Sequence, residues 1–324
     1  MQWFTPFTIS ESPFPISHQS KILSLGSCFA QTIGQKMLAH KFDCLVNPFG
    51  TIFHPMILGD LLDHAMFQDK IEENGLIERD GTYFYLGAHS DLNGNSPEEL
   101  TNNYAFHLAE TKKYLETGTH LILTLGTAWI YKTKDFGRVA NCHKLSQKLF
   151  KKKLVQLEEM VSHLSHVFGN ISRAYPDLKI ILTVSPVRHI KDGISENQLS
   201  KSILRVLCHE LNNKFGNTTY FPAYEILIDE LRDYRFYKED LIHPSVEAEN
   251  YIWEKWKSSN FTEETRYKAD QILKINQELA HRPLNPKSEG HRKFLQSLLS
   301  KLERLNAEFD FSKEVAAVKT QLEA

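Results

Sequence analysis

The chain predicts an α/β fold: a parallel sheet of five strands covered by helices on both faces and followed by a helical extension. Three observations predict it. Short apolar runs alternate with long amphipathic segments, a rhythm that argues for βαβ units. The runs at Leu121–Leu125 and Ile180–Val184 are nearly unbroken, as expected of strands buried on both faces. Beyond about residue 258 the composition changes to long charged helices interrupted at Pro283 and Pro286. The organisation read from this is an extended arm over residues 1–20, an α/β domain over 21–258 and a C-terminal helical extension over 259–324.

Taken in order, the arm carries Pro6, Pro13 and Pro15 among aromatic and polar residues, which suits an extended path. Ile22, Leu23 and Leu25 form a first strand that stops at Gly26, and Gln31–His40 reads as an amphipathic helix. Phe42–Val46 is a second strand closing on the turn Asn47-Pro48-Phe49-Gly50. Pro55–Phe67 is helical in pattern, Leu76–Leu86 is a hairpin turning at Arg79-Asp80-Gly81, and Ser96-Pro97-Glu98-Glu99 opens a helix that runs to Thr117. The third strand, Leu121–Leu125, ends at Gly126-Thr127-Ala128-Trp129. Lys132–Ser146 reads as irregular, and Gln147–Ala174 as a helix broken at Pro176. Leu178–Val184 is a fourth strand, Glu196–Phe215 a helix and Thr218–Phe221 a fifth strand. In the extension, Leu295, Leu298, Leu302, Leu305 and Phe309 make one apolar seam, suited to packing within the domain or to a homodimer contact.

The totals exclude several classes. A formal net charge of -2 over 324 residues gives no basis for a nucleic-acid or anionic-membrane partner. No apolar run is long enough to cross a bilayer, and the N-terminus lacks a basic start followed by an apolar stretch, so a cytoplasmic location is expected. Cys28, Cys44, Cys142 and Cys208 are scattered without CxxC or zinc-like spacing, which predicts neither disulfides nor a metal. No cofactor is expected.

Chemistry concentrates at the carboxyl ends of the strands, where ligands bind in open parallel sheets. Ser27 stands on the turn between the first strand and helix, where free helix N–H groups and a partial positive charge lie beside an exposed hydroxyl. Far downstream, Asp240-Leu241-Ile242-His243 supplies a base and a carboxylate three residues apart, close enough for the carboxylate to hold one ring nitrogen while the other faces the hydroxyl. Cys28 follows the nucleophile and is expected to point into the sheet as a small buried hydrophobe.

Together these residues identify a resemblance. The chain resembles the GSCFA family through Gly26-Ser27-Cys28-Phe29-Ala30, Asn47-Pro48-Phe49-Gly50-Thr51, Leu125-Gly126-Thr127-Ala128-Trp129, Thr183-Val184-Ser185-Pro186-Val187-Arg188-His189 and Asp240-Leu241-Ile242-His243-Pro244-Ser245. Through that family it resembles the wider SGNH (GDSL-like) hydrolases. The resemblance implies a three-layer α/β/α sandwich of flavodoxin-like type, with Ser27 as nucleophile, His243 as base and Asp240 as its orienting partner. It also implies an oxyanion hole from the Ser27 N–H, Gly50 and an asparagine of the third block. Gly126-Thr127-Ala128-Trp129 has no asparagine there, so Asn141 is the candidate replacement. His54, Thr127, Trp129, Tyr131 and Arg188 are placed to line the pocket, and the run Arg232–Tyr237 to brace the His243 turn. The expected function is a serine esterase acting on an O-acyl ester, with a carbohydrate carrier favoured by superfamily habit. O-acyl transfer by the same triad and an inactive ligand-binding module are the rivals.

Overall fold

The computed structural model describes residues 5–68 and 71–323; the first four residues of the expected arm lie outside them. Five parallel strands form the central sheet: β1 (Lys21–Gly26), β2 (Asp43–Val46), β3 (His120–Leu125), β4 (Lys179–Val184) and β5 (Thr218–Phe221). Their spatial order is β2-β1-β3-β4-β5. Connections therefore leave β1 in one direction and β3 in the other, which opens a crevice between these two strands at their carboxyl ends.

Side-chain alternation along the strands builds the layers. Leu23, Leu25, Leu121, Leu123, Ile180 and Leu182 enter the core on one face, whereas Ile22, Ile122 and Ile181 enter the core on the other. The first core is covered by α2 (Pro55–Phe67), α3 (Pro97–Thr117), α4 (Leu157–Ala174) and α5 (Ile194–Lys214). The second is covered by α1 (Cys28–Ala39) and α6 (Val246–Asn260), with Trp253 and Trp256 buried. The architecture is thus a three-layer α/β/α sandwich.

Two small antiparallel sheets decorate it. The hairpin at Leu76–Arg79 and Thr82–Tyr85 turns at Asp80 and Gly81, both in the left-handed region (φ 54° and 77°), as the Asp-Gly pair predicts. The second sheet corrects the expectation for residues 132–156. Trp129–Thr133 pairs with Gly137–Val139 and with Lys151–Leu154, and helix begins only at Leu157. Three consecutive lysines, Lys151 to Lys153, lie on an edge strand, where charge blocks further pairing.

The arm is anchored on the junction with the extension: the Ser12 N–H donates to Ser259 O and the Ile16 N–H to Asn260 O, each at 2.7 Å. The extension comprises α7 (Glu263–Leu279), α8 (Glu289–Leu305) and α9 (Ser312–Glu323). Its leucine seam is covered within the chain: Leu295, Leu298 and Leu302 pack against Ile272, Ile275 and Phe311. Lys41–Glu314 (2.7 Å) and Asn276 Nδ2 to Ala39 O (2.7 Å) tie it to α1.

Candidate active site

The turn after β1 is built around Gly26. Its φ of 142° is one that side chains resist, and a Cβ there would collide with the Thr124 carbonyl of β3. Asn47, itself in the left-handed region (φ 44°), accepts the Gly26 N–H on Oδ1 at 2.8 Å and so fastens the end of β2 to the turn. Ser27 is the N-cap of α1: its Oγ accepts the Phe29 N–H at 3.2 Å, and its own N–H donates to Thr124 O at 3.1 Å. The residue is fully buried.

The His243 loop is held as tightly. Asp240 Oδ1 accepts the N–H groups of Ile242 (2.9 Å) and His243 (3.0 Å), while Oδ2 lies 2.7 Å from His243 Nδ1. These bonds hold the Asp240 carboxyl far below the usual carboxylate range, chiefly through the His243 N–H and ring. A carboxylate accepts, so Nδ1 is the donor in this contact, and in the neutral ring the free lone pair is the one on Nε2. Leu241 between them has φ 56°, an uncommon conformation for leucine. It is restrained by Arg188, which donates to Leu241 O (3.1 Å) and through its N–H to Ile242 O (3.2 Å). The Arg188 guanidinium also lies 5.5 Å from the Tyr237 ring, and Ser245 N–H donates to Phe236 O, so the Arg232–Tyr237 segment does brace the turn.

A cavity of about 560 Å³ opens at the carboxyl edge of the sheet. His54, Thr127, Trp129, Tyr131, Asn141, Arg188 and His243 all line it, together with Cys28 and apolar side chains that include Ile52, Ile57, Ile130, Val139 and Val187. Lys152 at the wall pairs with Asp192 and lies 5.4 Å and 5.2 Å from the Trp129 and Tyr131 ring centres. Asn141 accepts the His143 N–H on Oδ1 at 2.8 Å, which fixes the amide and leaves its NH₂ without a partner among the described residues. His54 caps α2 by accepting the Met56 N–H on Nδ1 (3.1 Å), and burial pushes its pKa down to about 3, so it lines the wall as a neutral ring.

Three expectations need correction. Cys28 does not point into the sheet; as the first residue of α1 it is partly exposed and lines the cavity. Ser27 takes no part in the cavity wall, and its N–H, expected as an oxyanion donor, is spent on Thr124. Gly50 likewise stays out of the wall, because its N–H closes the turn onto Asn47 O at 2.8 Å. The glycine is required there by packing, since a Cβ would run into the His89 side chain.

The sequence reading missed the first turns of α5. Asn197 Oδ1 accepts the His189 N–H (2.8 Å), Ser200 Oγ accepts the Ala128 N–H (2.8 Å), and Lys201 Nζ donates to Gly126 O (2.7 Å) and Ser185 O (2.8 Å). One helix face thereby holds both loops that flank the cavity. The available signal was three polar residues on one stripe with Leu204 and Leu207, where a core-facing helix otherwise carries apolar side chains.

Fold and site together define an α/β protein with a doubly wound five-stranded parallel sheet, carrying a histidine–carboxylate pair on a cavity at the carboxyl edge. Residues 21–256 match the GSCFA family, and residues 272–324 match the GSCFA domain protein, C-terminal domain. The chain belongs to the GSCFA family. No curated protein and no solved structure matches it. Among the described residues no helix is long and apolar enough to cross a membrane, and no cluster of His, Cys, Asp or Glu has the arrangement of a metal site.

Proposed function

We propose that this chain is an acyl-transfer enzyme of the SGNH (GDSL-like) hydrolase superfamily that hydrolyses an O-acyl ester, with a carbohydrate or glycoconjugate as the carrier. The observation that carries the reading is the 2.7 Å contact between His243 Nδ1 and Asp240 Oδ2 on the wall of the cavity that also borders the start of α1. In this reading His243 Nε2 takes a proton from a nucleophile on the Gly26 turn and returns it to the leaving alcohol, while Asp240 holds the ring in one tautomer and balances its charge. Water then releases the acid from the acyl-enzyme. Four unpaired cysteines suit the cytoplasmic location that goes with the proposal. A second reading, O-acyl transfer to a hydroxyl, is favoured by the apolar wall, which discourages water beside the acyl group.

The test is hydrolysis of a small aryl acetate beside His243→Ala and Asp240→Asn proteins shown to be folded. Loss of about 10³-fold or more in both is expected for groups that act as one unit. Hydrolysis that persists unchanged in His243→Ala refutes the reading. Acetyl passing to an added sugar in place of water would select transfer.

A further inference from the structure

The Gly26 turn offers two adjacent nucleophiles, and the structure treats them differently. The polar groups of Ser27 are engaged within the turn: the hydroxyl accepts the Phe29 N–H and caps α1, the carbonyl accepts the Ala30 N–H, and the backbone N–H joins the turn to β3. The side chain is fully buried and takes no part in the cavity wall. Cys28 is the reverse case. It is partly exposed, and it lines the same cavity as His243 and Asn141. As the first helical residue it also has an N–H with no acceptor among the described residues, as the geometry of a helix start requires.

We propose that Cys28, and not Ser27, is the residue acylated during turnover, with its own N–H and the Asn141 amide as oxyanion donors. The inference rests on the acyl-transfer reading above. Burial pushes the Cys28 thiol above its ordinary pKa, so it rests protonated and needs a base, which the Nε2 lone pair of His243 supplies. The N-terminus of α1 stabilises the sulfur as charge develops. In the first step the Sγ–H proton passes to His243 Nε2, sulfur bonds to the carbonyl carbon, and the carbon–oxygen bond of the ester breaks as the alcohol takes the proton from His243. The product is a thioester on Cys28. Water then attacks that carbonyl, giving its proton to His243, and the departing sulfur recovers it as the acid leaves. The sum is ester plus water to acid plus alcohol. Ser27 serves as the cap that orients the helix start.

The experiment is reaction of the full chain with p-nitrophenyl acetate, an acid quench, and localisation of the acetyl group by peptide fragmentation, with and without neutral hydroxylamine. The expected result is an acetyl on Cys28 that hydroxylamine removes, with loss of both the acetyl and about 10³-fold in hydrolysis in a folded Cys28→Ala protein. Cys28→Ser, a near-isosteric second variant, should carry the acetyl at the same position as an oxygen ester that survives hydroxylamine. An acetyl on Ser27, or undiminished hydrolysis by Cys28→Ala, overturns the assignment of Cys28 and leaves acyl transfer standing. Wild-type protein that neither acetylates nor hydrolyses overturns both.

Discussion

Lys201 gives the sharpest physical prediction. Its side chain is 1% exposed and its ammonium meets two backbone carbonyls and no carboxylate. Burial alone pulls its pKa down to about 7, against about 10.4 in an unfolded chain. The folded state therefore releases this proton earlier on the pH scale than the unfolded state, and between these values the unfolded chain binds more protons. Stability must rise with pH across that window, and integrating the difference from pH 7 to pH 9 gives about 2 kcal/mol. The perturbation is Lys201→Met, which keeps the length of the side chain and removes the titration. The assay is urea unfolding of both proteins from pH 7 to pH 9, read as the wild-type minus variant difference, so that groups common to both cancel. The groups nearest Lys201 stay silent in the window: His189 is neutral, its pKa pushed down to about 3 by burial first, and Tyr224, whose ring centre lies 5.8 Å from Nζ, is pushed up to about 12. The difference should move in favour of wild type by about 2 kcal/mol as pH rises. A difference independent of pH refutes the reasoning, since it would mean that Lys201 keeps an ordinary pKa or that the amine reaches water.

Other outcomes follow from the same contacts. Asn47→Ala removes the acceptor of the buried Gly26 N–H and places alanine at φ 44°, so unfolding should become easier by about 2–4 kcal/mol, measured by chemical denaturation. Gly26→Ala drives a Cβ into the β3 backbone and should yield little folded protein at expression, a result that circular dichroism and yield will show. On the proposed acyl-transfer reading, with Asn141 as an oxyanion donor, Asn141→Ala should lower kcat toward an aryl ester about 10²- to 10³-fold with KM little changed. On the same proposed reading, because apolar side chains make up much of the cavity wall, kcat/KM should climb about fourfold per methylene from acetyl toward hexanoyl esters, the equivalent of about 0.8 kcal/mol per buried CH₂. A flat chain-length profile would show that the acyl group binds elsewhere.

Much of this was legible in the residues because period and punctuation agree. The strands β1, β3, β4 and β5 are short β-branched or leucine-rich runs closed by glycine or proline, and the α2 and α3 starts carry proline in the first turn. The Lys151–Leu154 strand was not legible: three lysines have no apolar alternation, and only pairing with Trp129–Thr133 makes them extended. At the site, the spacing of Asp240 and His243 correctly indicated a contact, since three residues on a turn bring the two side chains together. The choice between Ser27 and Cys28 lay beyond the sequence. Which neighbour on a helix start faces the cavity depends on how far the preceding glycine rotates the chain, here φ 142°, and that rotation is set by the closeness of Thr124 on another strand. The Lys201 contacts were hidden for a related reason, because each joins residues brought together only by the packed sheet.

The strap between the arm and the junction after α6 also bears on the order in which the chain can fold. Ser10 O accepts the Ser259 Oγ–H across 249 residues, the Thr262 N–H donates to Ile16 O, and Ile16 bridges Phe261. During synthesis the arm is made before the sheet, yet its pairing partner around Phe261 emerges only after all five strands have been completed. Until then the backbone of Ile16 has no partner to pair with, although Phe14 O already meets the His120 ring and His18 stacks on Phe42. Closure of the strap is therefore a late step, one that also sets Thr262 as the cap of α7. A ribosome-bound chain stopped before residue 259 would have its sheet but not its latch, and the arm of such a chain should be cut by protease long before the core is.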